Sequence, residues 1–250
     1  RRLRPDAVQT WMYHADLLGG LAARIAGHRN VIWNIRHSNL DQDSLRRSTR
    51  IVARLCAHVS AWLPARIVCC ATEAKRNHVA FGYAEDRMTL IHNGYDAARF
   101  SVDPEKVRAF RSSINLSECD VVLGMVARFH PNKNHQGLLQ AMAMLRREGA
   151  RFHLVLVGPD VTSDNTSLRH MLAKDGLEEC VSMLGPRSDV ETIMAGLDVH
   201  VLASHTEGFP NVVAEAMLSG KPCVVTDVGD AAEIVRDTGW VVPPGDTNLL

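Results

Sequence analysis

Short apolar runs alternate with helical stretches along almost the whole chain, and this alternation limits the fold more than any other feature. Residues 31–35, 66–70, 121–126, 152–157, 181–184 and 198–202 are apolar and rich in β-branched residues, so they read as strands. Residues 7–10 and 88–91 read as briefer ones. Between them lie stretches with helical spacing. Residues 15–26 are stopped by Gly27. A long helix is capped by Asp43 and Ser44 and runs to about Trp62, and residues 73–81 are ended by Gly82. Leu17, Leu18, Leu21 and Ile25 are expected on the apolar side of the first helix. Leu45, Ile51, Val52, Leu55 and Val59 are expected on that of the second. Strands separated by helices cannot pair through hairpins, so the sheets are expected to be parallel.

The pattern pauses over residues 95–115, a connection with one helix near 104–110, and then restarts. Helices are expected at 134–148, within 168–173 and at 189–194, with further short elements at 223–226, 231–235 and 240–242. Two α/β domains follow, 1–112 and 113–250, the second a nearly complete doubly wound parallel sheet. Charge divides the same way. The chain has 28 Lys and Arg against 28 Asp and Glu, but residues 1–112 hold 18 against 10, which leaves +8 in the first part and −8 in the second. A basic first domain suits an anionic surface. Two solvated faces of differing sign would give the same count.

Composition narrows the class. Hydrophobic residues make up 46% and charged residues 22%, as in ordinary globular proteins. No apolar run is long enough to span a bilayer, and no apolar core follows the basic Arg1-Arg2-Leu3-Arg4 to make a secretory signal. The six cysteines, Cys56, Cys69, Cys70, Cys119, Cys180 and Cys223, form no C-x-x-C pair. Free thiols of this kind fit a reducing cytoplasm. The chain opens without Met and closes on Asn248-Leu249-Leu250, which reads as a helix start, so it is expected to be a piece cut at both ends.

One stretch concentrates chemistry. Residues 198–202 read as a buried strand, 204–210 as a loop punctuated by Gly208 and Pro210, and 211–218 as a helix stopped by Ser219 and Gly220 with Pro222 beyond. A helix N-terminus presents unpaired N–H groups and a partial positive charge, which suit a phosphate. Glu215, about one turn in, can reach groups beside that phosphate. A carboxylate suits the paired hydroxyls of a ribose, each charged hydrogen bond contributing about 1.5 to 3 kcal/mol. Glu207, across the loop, is placed to meet hydroxyls on whatever is joined to the phosphate. A capped helix with solvated acids is the plainer reading. The segment HTEGFPNVVAEAM, with Glu207 followed eight residues later by Glu215, resembles the E-x7-E motif of the family-4 retaining glycosyltransferases of the GT-B fold. Residues 66–96, VCCATEAKRNHVAFGYAEDRMTLIHNGYD within them, are similar to the end of that family's acceptor domain and its exit to the linker.

The resemblance implies two Rossmann-like doubly wound domains facing a crevice, the first incomplete here. Its opening strands and glycine-bearing loop, and the terminal helices after residue 250, would lie outside this chain. Arg128 and Lys133, in VARFHPNKNHQGLLQA, stand between a strand's carboxyl end and a helix start, where two cations can neutralise a diphosphate. They are similar in placement to the family's basic pair. Gly208, Phe209, Pro210, Asn211 and Val212 would complete the donor-binding segment. His37, after the strand VIWNI, resembles the family's acceptor-domain histidine near the transferred sugar. His14 could be a cap or an acceptor contact, and His205 could shape its loop. Gly158 would let the chain pass close to the nucleotide or make a plain turn. Arg187 lies in a loop that in the family is near the base, and 226–230 is expected to wall the crevice.

No G-x-G-x-x-G and no Walker loop is present, so hydride or phosphoryl transfer lacks its phosphate cradle. The D-x-D of Asp41 and Asp43 reads as helix capping rather than a metal site. The implied activity is transfer of a sugar from a nucleoside-diphosphate sugar to a glycan or lipid-linked acceptor, with retention of configuration. A UDP-sugar is favoured over a GDP-sugar, and neither metal nor cofactor is expected. The setting would be polysaccharide or cell-envelope biosynthesis in the cytoplasm, at the inner membrane face, with no nucleic acid involved. The alternatives are a glycoside hydrolase with paired carboxylates, a nucleotide-sugar epimerase on the same scaffold, and a nucleotide-binding fragment without turnover.

Overall fold

The computed structural model of the chain describes residues 4–38, 40, 46–116 and 121–250. The Asp41/Asp43 pair, the expected cap at Asp43 and Ser44, Leu45, Cys119 and the first three residues lie outside them. The chain forms two compact units. The first holds the residues up to Gly94 together with Glu207–Phe209, and the second holds Tyr95–Thr206 and Pro210–Leu250. This boundary falls ahead of the division expected after residue 112. Helix Pro104–Ser113 belongs to the second unit, and its Phe110 is buried in that unit's core.

The first unit contains β1 (Val8–Trp11), α1 (Tyr13–Ile25), β2 (Val31–Ile35), α2 (Arg47–Val59), β3 (Arg66–Cys69), α3 (Thr72–Phe81) and β4 (Met88–Leu90). The four strands are parallel and ordered β1-β2-β3-β4, with Val8 opposite Val31, Ile32 opposite Arg66, and Ile67 opposite Met88. Gly82 ends α3 in the left-handed region, at φ 110°, as its position predicts.

The apolar sides expected for α1 and α2 hold in part: Leu17, Leu21, Val52 and Val59 pack against the core, and four others do not. Leu18 is 68% and Ile25 87% exposed, and Ile51 and Leu55 are 58% and 49% exposed. The fully buried residues are Tyr13, Asp16, Gly20 and Ala23 on α1, and Ala53, Cys56 and Ala57 on α2. A Cβ on Gly20 would meet the Trp33 indole nitrogen at 2.9 Å. The large buried ring of Trp33 therefore needs a residue without a side chain at position 20 of the helix beside it.

Asp16 is buried in this unit and accepts a 2.6 Å hydrogen bond from the Thr10 hydroxyl, while the Asn34 side-chain amide donates to the Thr10 carbonyl. Burial pushes the Asp16 carboxyl up to about 7, and the bonds from Thr10 and the Asn34 backbone pull it back only in part.

The second unit contains α4 (Pro104–Ser113), β5 (Val122–Val126), α5 (His135–Arg147), β6 (His153–Val157), α6 (Thr166–Asp175), β7 (Val181–Met183), α7 (Val190–Gly196), β8 (Val199–Leu202), α8 (Asn211–Leu218), β9 (Cys223–Thr226), α9 (Ala231–Val235) and β10 (Trp240–Val242). Its sheet is parallel, in the order β10-β9-β8-β5-β6-β7. Successive strands step outward from β5 to β7, and the chain then returns to the other side of β5 for β8. That reversal is a topological switch point. Both faces are covered. On β6, Leu154 and Leu156 pack in one core with Leu138, Leu139 and Leu168, and Val155 and Val157 pack in another with Ile193, Leu202 and Val213. At the amino ends of β5 and β8, an Asp198 carboxylate oxygen accepts the Val122 N–H at 2.7 Å and lies 3.5 Å from Arg111. No helix among the described residues is long and apolar enough to cross a membrane.

An unfolded aspartate titrates near 3.9. With Asp16 held near 7, the folded state keeps an extra proton between these values, so stability falls as pH rises from about 4 to about 7. Urea unfolding across that window should show a decline on the order of 4 kcal/mol from this group. Asp16→Asn should flatten the decline, and an unchanged slope would remove Asp16 as its source.

Candidate functional site

The expected basic pair and the loop after β8 both lie at carboxyl ends of the second sheet, on the two strands that flank the switch point. Beyond β5, the Ala127 N–H donates to the Val157 carbonyl at 2.8 Å and the Phe129 N–H to the Pro159 carbonyl at 2.9 Å, so the chain stays extended past the strand. Arg128 lies in this extension and is exposed. A 3-10 turn follows, Pro131–Lys133, with Lys133 half-buried at its end.

Asn134 then adopts the left-handed conformation, φ 55° and ψ 45°, and its side-chain oxygen accepts the Gly137 N–H at 3.0 Å. Gly137 is required there, because a Cβ would lie 2.4 Å from the Asn134 amide. Asn tolerates the left-handed region and caps the helix at once. His135 is buried behind the turn with its ring centroid 5.3 Å from that of Phe129. Burial, and then Lys133, push it down to about 4, so it is neutral packing at neutral pH.

Beyond β8, Ala203 and Ser204 are buried. The Thr226 hydroxyl, at the end of β9, donates to the Ser204 carbonyl at 2.7 Å. This is the part that the 226–230 stretch plays in shaping the loop. The His205 N–H donates to the Asn132 carbonyl at 2.8 Å. The two loops that flank the switch point are therefore joined backbone to backbone.

Glu207, Gly208 and Phe209 are half-buried and belong to the first unit, where the Phe209 ring lies 5.3 Å from that of His92. Pro210 precedes α8, whose first residue, Asn211, accepts a 2.7 Å hydrogen bond from the Tyr95 hydroxyl through its side-chain oxygen. Val212 is half-buried in the first turn. Glu215 is half-buried on α8. Burial pushes its carboxyl up, Arg99 pulls it down and Glu191 pushes it up, leaving it above its ordinary value.

Two expected residues have structural work of their own. A Cβ on Gly158 would lie 2.2 Å from the Ala127 carbonyl oxygen, and φ there is 147°. The glycine allows its own backbone to close on the β5 extension. Arg187 is exposed and forks onto the Asp189 carboxylate at 2.8 and 2.7 Å. The expected acceptor residues lie in the first unit. His14 is exposed in the first turn of α1, and His37 is half-buried just after β2. Among the described residues, no group of three His, Cys, Asp or Glu side chains could hold a metal ion.

Tyr95, His130, Asn132 and Asn134 were not singled out from the sequence. The spacing of Asn134 and Gly137 carried a readable signal for the left-handed cap. The Tyr95–Asn211 bond spans residues far apart in the chain and had none.

Residues 120–250, just over half of the chain, match the family model described as Glycosyl transferases group 1. The chain belongs to this family. Residues 1–99 match the model Glycosyltransferase Family 4. The chain is 26% identical over 235 residues to the UDP-Gal:alpha-D-GlcNAc-diphosphoundecaprenol alpha-1,3-galactosyltransferase of Escherichia coli, covering 93% of this chain and 60% of that protein. It is 24% identical over 254 residues to the capsular polysaccharide biosynthesis glycosyltransferase CapM of Staphylococcus aureus, covering 99% and 66%. The chain thus spans about three-fifths to two-thirds of the length of these relatives.

Among solved structures, Anabaena HepE in complex with UDP and glucose superposes with a TM-score of 0.85 at 23% identity, covering 96% of this chain and 65% of that one. Sucrose-phosphate synthase from Thermosynechococcus elongatus gives 0.81 at 21%, covering 98% and 62%. These likenesses establish the fold, which is that of the GT-B glycosyltransferases.

Gly158→Ala should cost about 2 kcal/mol or more, because it adds a backbone clash to a strained φ. Urea unfolding measures it, and a variant as stable as the parent would mean that the Ala127 carbonyl has room to move.

Proposed function

We propose that this chain forms part of a retaining, metal-independent glycosyltransferase that moves a sugar from a nucleoside-diphosphate sugar, a UDP-sugar, to a glycan or lipid-linked acceptor. The observation that carries this reading is the joining of the Arg128–Lys133 loop to the loop before α8 at the switch point of the second sheet. The reading is supported by the family match and by relatives named for a UDP-Gal donor and for capsular polysaccharide biosynthesis.

Arg128 and Lys133 bind the diphosphate, with Gly208, Phe209, Pro210, Asn211 and Val212 lining the same seat. Glu215 holds the ribose. Glu207 positions the sugar, with His37 on the acceptor side. In the reaction the bond from the sugar's anomeric carbon to the phosphate oxygen breaks, and a bond to the acceptor hydroxyl oxygen forms on the same face. The hydroxyl proton passes to the leaving phosphate. Negative charge grows on the diphosphate, so cations already in place lower the barrier most there.

Calorimetric titration with UDP, GDP and ADP, with and without chelator, tests the donor site. UDP should bind in both conditions. Glu215→Ala should weaken it by about 1.5 to 3 kcal/mol, and Glu207→Ala should leave it nearly unchanged while abolishing transfer in the full-length enzyme. Equal effects of the two substitutions on UDP would overturn the roles, and chelator-sensitive binding would overturn the metal-independent reading.

The same reading places the enzyme in the cytoplasm, with its basic first unit at the inner face of the membrane. The outward stripe of α2 favours it. Arg47, Ile51, Arg54, Leu55 and His58 are exposed, Trp62 follows at 53% exposure, and no Asp or Glu occurs from 46 to 62. Each cation near anionic lipid contributes about 1 kcal/mol. Co-sedimentation with phosphatidylglycerol vesicles should be lost at high salt and in Arg47→Glu/Arg54→Glu. Equal binding to neutral vesicles would count against it.

A further inference from the structure

His130 takes no part in the roles assigned above, yet it sits where the cation loop is set. Its backbone is extended, at φ −155° and ψ 144°, and Pro131 at the next position opens the 3-10 turn with its fixed φ. The His130 side chain folds over that turn, and its Nδ1 accepts the Asn132 N–H at 3.2 Å. The His130 carbonyl accepts the Lys133 N–H at 2.9 Å, and the Asn132 carbonyl accepts the His205 N–H at 2.8 Å. Asn132 is therefore held through both its backbone polar groups, by an imidazole on one side and by the loop after β8 on the other. Its neighbour on the chain is Lys133.

We propose that His130 is a positioning residue for the donor diphosphate: by capping the turn at Asn132 it sets Lys133 and keeps the cation loop in register with His205 in the loop after β8. This rests on the donor-site reading given above. A cation delivered on a four-carbon stem gains most when its backbone is fixed beforehand, because less freedom is lost on binding. Proline fixes the start of the turn and the left-handed Asn134 fixes its end. The N–H of Asn132, between them, is held by a side chain alone. Asn, whose carbonyl oxygen caps turns of this kind, can replace that acceptor. Ala cannot, and the longer Gln is a poor cap.

The test is calorimetric titration of UDP into this chain and its variants, with thermal midpoints recorded alongside. His130→Ala should weaken UDP about fivefold, the scale of a lost cap, with little change in midpoint. His130→Asn should bind within about twofold of the parent, and His130→Gln should behave like Ala. In a Lys133→Ala background, His130→Ala should cost nothing further, because the group it positions is gone. Normal UDP binding by His130→Ala, failure of Asn to restore it, or losses that multiply in the double variant would each overturn the inference while leaving the donor site standing. Absence of UDP binding by the parent chain would overturn the donor reading, and this inference with it.

Discussion

The switch point between the paired strands β5 and β8 is the constraint on which the second unit depends. Crossovers between parallel strands are right-handed, so helices launched on the two sides of a switch point pass to opposite faces of the sheet. Their entry loops then part from each other at the strands' carboxyl ends and leave a place where polar groups can converge. Here that place is held from several sides. The His205–Asn132 bond joins the two loops, Thr226 fixes the Ser204 carbonyl, and Gly158 brings the β6 loop against Ala127. At the far end of the same strands, Asp198 ties β8 to β5 and Arg111 of α4.

The proposed donor site would draw on this rigidity. Two cations on a loose loop would lose side-chain and backbone freedom on meeting a diphosphate. With Lys133 between a proline and a left-handed asparagine, and Arg128 in an extension bonded to the strand and loop beside it, much of that ordering is complete in the folded chain. The raised carboxyl of Glu215 belongs to the same picture, since burial on α8 outweighs the pull of Arg99. Partial desolvation strengthens the hydrogen bonds such a carboxylate makes to hydroxyls.

The first unit is organised by the size of its side chains. Trp33 fills the space above the sheet and is buried. Helix α1 brings Gly20 against it, with Tyr13 and Ala23 also buried, and α2 turns Ala53, Cys56 and Ala57 inward. Ile51 and Leu55 are left on the outer surface among arginines. The helices themselves were legible in the sequence, and so were nearly all the strands, because period and stop residues are local signals. Which residues of α1 and α2 turned inward was legible only in part: Leu17, Leu21, Val52 and Val59 pack against the core, and Leu18, Ile25, Ile51 and Leu55 stay exposed.

At the candidate site the division is similar. The strand–loop–helix around Glu207 and Glu215, the Arg128–Lys133 pair and the stops at Gly82 and Gly220 are written in short stretches of sequence. Residue type and spacing alone determined them, since alternation, capping and chirality act within a few residues of the chain. Only the tertiary structure decided that Gly158 faces the Ala127 carbonyl and that His205 meets Asn132. Those contacts join segments by the order of strands in the sheet, and distance along the chain carries no record of it.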